Sequence, residues 1–265
     1  MTRSRSSVVG PALVVGAGAA ALFFAVVSVA LWSTTGQAAD EDAMLAVTAG
    51  REARLTVLSI LGRVSIGTVA VLAVGCLLLA ALRRHGRAAL AALTVIVGAN
   101  VTTQVLKHGV LDRADLGYGV HNSLPSGHVT VVAAAVAALL IVVPPAARAS
   151  VAGLGTFATG LTGLSTIVAG WHRPADVVAA LLVTLGWCAV GVLVHGGRRS
   201  RDSAVFLAAL SGAVASLIGI VLIGVRPVSG LEGFLQASLV LGAVALASAC
   251  AIWLMSWICP DASRV

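Results

Sequence analysis

An all-α, polytopic transmembrane helix bundle is predicted by three features of the sequence: apolar composition, scarce charge, and apolar runs of membrane-spanning length. Of 265 residues, 59% are hydrophobic and 10% charged, whereas roughly a quarter of a soluble domain's residues are charged. Mean hydropathy reaches +1.04. Eight apolar windows follow, at about 11–32, 64–82, 88–106, 127–143, 151–171, 177–194, 204–225 and 237–259. Each is near or above the ~17 residues that an upright helix needs to cross the hydrocarbon core.

The net charge of +7 does not make a nucleic-acid surface, because the basic residues are scattered between apolar spans and form no single solvated stripe. They mark topology instead. Arg3 and Arg5, then Arg83, Arg84 and Arg87, then Arg148, then Arg198, Arg199 and Arg201 fall in alternate connections, as cytoplasmic loops do. The other connections hold Asp40, Glu41, Asp42 and Glu52, or the mixed set from Lys107 to Asp115. Both termini are expected in the cytoplasm.

Taken in order, the first window is an uncleaved anchor. Gln37-Ala38-Ala39 loosely resembles a signal-peptidase site, but 22 uncharged residues exceed a signal-peptide core. Residues 41–62 interleave apolar and charged side chains and read as an interfacial helix. The third span carries Asn100, Thr103, Gln104 and Lys107 at i, i+3, i+4 and i+7, a polar stripe that should not face lipid. In the fifth, Ala152, Thr156 and Gly160 form a small-residue ridge, a candidate dimerisation face as well as ordinary bundle packing. Cys76, Cys188, Cys250 and Cys259 lack paired spacing and read as small apolar fillers.

Chemistry-bearing residues collect in the loops expected outside: Lys107, His108, Asp112, Arg113, Asp115, His121, Pro125-Ser126-Gly127-His128 and Trp171-His172-Arg173-Pro174-Ala175-Asp176. Pro125-Ser126-Gly127-His128 precedes an apolar helix. Ser126 is placed to cap it and Gly127 to let the backbone approach an anion at the positive helix end. A second helix is expected to start at Pro174, with Asp176 in its first turn and four residues after His172. A carboxylate there would accept one ring N–H of His172 and leave the other nitrogen free.

Pro-Ser-Gly-His, followed after a helical hairpin by Ser165, His172 and Asp176, resembles the type 2 phosphatidic acid phosphatase family, relatives of the vanadium haloperoxidases. The resemblance spans about 88–195. It implies a six-helix phosphatase-like core, here within 1–203 with its motifs in 107–176, plus two additional transmembrane helices in 204–265. It further implies that His172 attacks phosphorus, Asp176 orients it and His128 protonates the leaving alkoxide. Lys107, Ser126 and the Gly127 amide would hold phosphoryl oxygens. The sequence departs from the pattern twice. Lys107 is followed by five residues and then Arg113-Ala114, where the family has six and then Arg-Pro; Ser165-Thr166 stands where it has Ser-Arg. Arg173 is the expected replacement cation, with Arg113 next.

The reading is therefore an integral lipid phosphatase of a bacterial plasma membrane. It acts at the non-cytoplasmic face on a polyprenyl phosphate or diphosphate, or on a phosphatidic-acid-like lipid, through phosphohistidine. No cofactor is expected, and no metal, since no carboxylate cluster suited to magnesium adjoins the two helix starts. Membrane lipids and a lipid phosphate are the expected partners, with no nucleic acid. The alternatives are a lipid phosphotransferase and a non-catalytic lipid-binding or transport relative.

Overall fold

The computed structural model describes residues 6–47, 55, 59, 74–75, 86–199, 203–223 and 230–261. Among them are eight α-helices: α1 (Val9–Trp32), α2 (Thr34–Val47), α3 (Gly86–Val105), α4 (Gly127–Val142), α5 (Arg148–Val168), α6 (Pro174–His195), α7 (Ala204–Leu222) and α8 (Gly230–Ile258). Six helical segments are long and apolar enough to cross a membrane, and α4 is a shorter apolar helix. The chain is an all-α polytopic bundle. The expected span at 64–82 lies outside the described residues, apart from Val74 and Gly75.

Helix ends follow local chemistry. α5 stops at Val168, short of the expected 171, because Gly170 turns the chain at φ 72°, the left-handed conformation that closes helices. α6 begins at Pro174 after an extended Arg173 (φ −87°, ψ 160°), since proline fits the first helical position and biases its predecessor towards extended backbone. α3 ends in one π-turn, Leu106–Val110, closed by the Leu111 N–H on the Leu106 carbonyl at 2.9 Å.

α4 occupies the centre, with Val129, Ala133, Ala134, Ala137, Leu140 and Ile141 wholly buried. Its alanines admit α3 closely: Ala88, Ala92 and Ile96 pack against Ala138 and Val142. α1 runs antiparallel to α6, and α3 antiparallel to α4. α1 and α3 thus finish at one end of the bundle, where α4 and α6 begin.

Two expectations are corrected. The amphipathic helix after α1 starts at Thr34 rather than residue 41, and Gln37 inside it is fully buried. The Gln37 amide donates to the carbonyls of Leu31 (2.8 Å) and Ala114 (2.9 Å), so the triplet compared with a cleavage site is a packed joint between α1 and the 111–126 loop. Most of 48–62 lies outside the described residues. The ridge Ala152, Thr156 and Gly160 is not a free dimerisation face, because α7 and α8 consume it. Ala152 and Thr156 are wholly buried, Gly160 lies under Ser216 and Ser248, and a methyl added at Gly212 would overlap the Gly153 carbonyl. The last two helices therefore serve as α5's packing partners.

The opposite end is tied shut. Ser6 and Ser7 pair with Arg199 and Arg198 in a two-residue antiparallel ladder. Arg148 meets Asp261 at 3.6 Å and donates to the Pro260 carbonyl, while the Arg199 guanidinium lies 4.0 Å from the Trp257 ring centroid.

Candidate active site

Asp176 is the hub. Its Oδ2 accepts the Ser123 hydroxyl (2.5 Å) and the Arg173 backbone N–H (3.0 Å), and lies 3.0 Å from His172 Nδ1. Convergence on one buried oxygen fixes its position, and a carboxylate acceptor assigns the His172 proton to Nδ1, leaving Nε2 with its lone pair. The His172 backbone is equally constrained. Its N–H and that of Trp171 both donate to the Thr166 carbonyl, at 3.2 and 3.0 Å, so the turn folds back on the end of α5.

His128 stands opposite, on the first turn of α4. Its ring centroid is 6.4 Å from that of His172, edge to face, and 5.7 Å from Trp171. The two helix starts are joined directly, because the Ser126 N–H donates to the Asp176 carbonyl at 3.0 Å. The Leu124–Pro125 bond that precedes this turn is cis.

The expected capping role of Ser126 is corrected. It occupies the N-cap position, but its hydroxyl makes no capping bond; among the described residues it is buried without a partner, as is the Ser165 hydroxyl. The N–H groups of Gly127, His128 and Val129 have no partner among the described residues. The idle Ser126 hydroxyl and the open helix N-terminus make a neutral donor cluster suited to an anion.

The start of α6 differs. Pro174 has no N–H, the Ala175 N–H is taken by Asp40 Oδ1 at 2.9 Å, and the Asp176 N–H by the Arg173 carbonyl at 3.1 Å. This helix start holds the dyad and offers little to a ligand.

The expected cations are placed unequally. Lys107 lies in the π-turn; its carbonyl accepts the Asn122 amide at 3.4 Å, while its ammonium has no hydrogen-bond partner among the described residues and lies within electrostatic reach of His128 and Asp176. Arg113 braces the loop: Nε donates to the Gly119 carbonyl (3.0 Å) and Nη1 to the Ala30 carbonyl (3.1 Å), while Nη2 is buried without a partner among the described residues. Arg173 donates from Nε to Glu41 Oε2 (2.7 Å) and from Nη2 to the Tyr118 carbonyl (3.3 Å). Thr166, where the expected arginine is absent, is fully buried and bonds back to the Gly163 carbonyl at 2.8 Å. In the third-span stripe, Thr103 bonds Thr130 across to α4 at 3.0 Å, whereas the Asn100 amide returns to the Ile96 carbonyl of its own helix. His108 and His121 remain exposed.

Sequence reasoning missed Ser123, Asp40 and Glu41. Ser123 carries no motif, and the two acids stand more than 130 positions before their partners, so no spacing connects them. Burial pushes the Asp40 carboxyl up to about 6, against the lowering effect of its bond from Ala175. Among the described residues, no three His, Cys, Asp or Glu side chains cluster to hold a metal ion.

Residues 88–200 match the PAP2 superfamily. No curated protein and no solved structure matches the chain. The matched segment contains Lys107, Ser123, Ser126, His128, Ser165, His172 and Asp176, and leaves α1, α2, α7 and α8 outside.

Proposed function

Because residues 88–200 match the PAP2 superfamily, we propose that this chain is a membrane-embedded lipid phosphate phosphatase working through phosphohistidine at His172. One observation carries the reading: the His172–Asp176 pair, at 3.0 Å, faces the open start of α4 and His128. Nucleophile, orienting carboxylate, acid and anion cradle thus come together within two helix starts.

In this mechanism the phosphoryl oxygens rest on the N–H groups at the start of α4, the Ser126 hydroxyl, Lys107 and Arg173, with Arg113 Nη2 a further unspent donor. His172 Nε2 attacks phosphorus in line. The bond to the ester oxygen breaks, its electron pair stays on that oxygen, and His128 donates the proton that makes the alcohol. Asp176 stabilises the positive ring. Water then attacks phosphorus while His128 takes its proton, and the P–N bond breaks with its electron pair returning to His172. With a diphosphate, the first leaving group is a lipid phosphate instead of an alcohol.

Two features support a lipid substrate acted on at the non-cytoplasmic face. An apolar groove of about 480 Å³ between α1, α3 and α6 reaches Thr102 and Leu106, one residue before Lys107. It would accept a hydrocarbon chain from the bilayer. The end opposite the site carries Arg87, Arg148, Arg198 and Arg199, the bias that retains loops in the cytoplasm.

The test is phosphate release by the purified full chain from a polyprenyl diphosphate, a polyprenyl monophosphate and phosphatidic acid. Release by the wild type, an acid-labile phosphoenzyme and loss of both in His172→Ala are expected. Equal release by His172→Ala, or none by the wild type, would overturn the reading. Thiol probes at Asp115→Cys and Arg198→Cys test the face, with labelling from outside expected only at the first.

A further inference from the structure

Two consecutive acids of α2, outside the superfamily match, reach the first turn of α6. Asp40 accepts the Ala175 N–H, and Glu41 accepts Arg173 Nε at 2.7 Å. The Glu41 and Arg173 side chains are 23% and 13% exposed, so the pair is shielded from the screening that makes surface ion pairs nearly worthless. Arg173 is also fixed from below, because its backbone N–H belongs to the Asp176 hub and Pro174 follows it. A guanidinium is planar. Once Glu41 holds Nε and the Tyr118 carbonyl holds Nη2, the direction of Nη1 is set, and Nη1 has no hydrogen-bond partner among the described residues. On the long, flexible side chain of an arginine released from Glu41, that direction would be lost among many rotamers.

We propose that Glu41 is a positioning residue, holding the Arg173 guanidinium so that its remaining nitrogen meets the phosphoryl group bound between α4 and His172. This rests on the phosphatase reading and extends it to a helix that the superfamily match does not include. The opposite role for Glu41 would be neutralisation of Arg173, which would weaken anion binding. The two roles predict opposite signs.

The test is a double-mutant cycle on the full chain in detergent, read both as kcat/KM on the best lipid phosphate and as orthovanadate affinity by titration calorimetry. Glu41→Ala should lower kcat/KM and vanadate affinity by about tenfold, and Glu41→Gln, which keeps an acceptor for Nε, should recover about half of that loss on a logarithmic scale. In the Arg173→Ala background, Glu41→Ala should change neither by more than about twofold. Tighter vanadate binding in Glu41→Ala, an unchanged affinity, or an equal loss in both backgrounds would overturn the proposal. Should Glu41→Ala fail to fold, Glu41→Gln carries the same cycle. A wild type that binds vanadate but releases phosphate from no lipid would overturn the phosphatase reading, while the affinity cycle still decides the role of Glu41. A wild type that binds no vanadate would overturn both.

Discussion

The starts of α4 and α6 face each other, are joined by one backbone hydrogen bond from Ser126 to Asp176, and are used in opposite ways. At α4 the N–H groups of Gly127, His128 and Val129 and the hydroxyl of Ser126 are unspent among the described residues. At α6 proline removes one donor, while Asp40 and the Arg173 carbonyl occupy the next two. The same helix-start chemistry therefore yields a cradle where donors are left open and a rigid mount where they are filled. A nucleophile needs the second and an anion the first. Six substitutions bear on this division.

The largest effect is expected from removing the proposed nucleophile, His172. His172→Ala should cost about 10⁴-fold or more in kcat, and His128→Ala on the order of 10²–10⁴-fold. Single-turnover assays separate them: His172→Ala should form no phosphoenzyme, whereas His128→Ala should form it slowly. Phosphoenzyme in His172→Ala would mean that His172 is not the nucleophile.

Next comes the hub. Asp176→Asn should lower kcat on the order of 10³-fold, because an amide favours the wrong tautomer of His172. Ser123→Ala, which removes one of the donors on Asp176 Oδ2, should reduce kcat about tenfold with KM little changed. A rise in KM alone for Ser123→Ala would assign it to the cradle instead.

On the α4 side the expectation reverses. Ser126→Ala should weaken vanadate binding about tenfold, about 1.4 kcal/mol, the scale of one hydrogen bond to a charged group. The melting temperature should stay put, because this hydroxyl makes no bond within the described structure. A destabilised protein with unchanged vanadate affinity would make Ser126 a structural residue.

The smallest effect concerns the cap on α6. Asp40 is raised to about 6 by burial, so the folded chain holds this proton more tightly than the unfolded chain does. Its contribution to stability is fully present below about pH 4 and is lost as pH rises through about 6. Asp40→Asn should flatten that part of the curve of melting temperature against pH. An undiminished slope in the variant would show that Asp40 is not its source.

Much of this is legible in the sequence alone, for identifiable reasons. The bundle was legible because a membrane span must satisfy its own backbone and be apolar over a fixed length, which composition and windows report directly. The His172-to-Asp176 contact was legible because Pro174 announced a helix start, which puts Asp176 in the first turn and His172 just ahead of it. Local geometry relates such residues without reference to the rest of the fold. The tertiary structure decided everything that joins distant segments. It placed Ser123 on Asp176 and Asp40 and Glu41 on the first turn of α6. It spent the Ala152, Thr156 and Gly160 ridge on α7 and α8, and left Ser126 uncapped. Whether a hydroxyl or an N–H is idle depends on which segments of the folded chain reach it, and neither spacing nor composition specifies that.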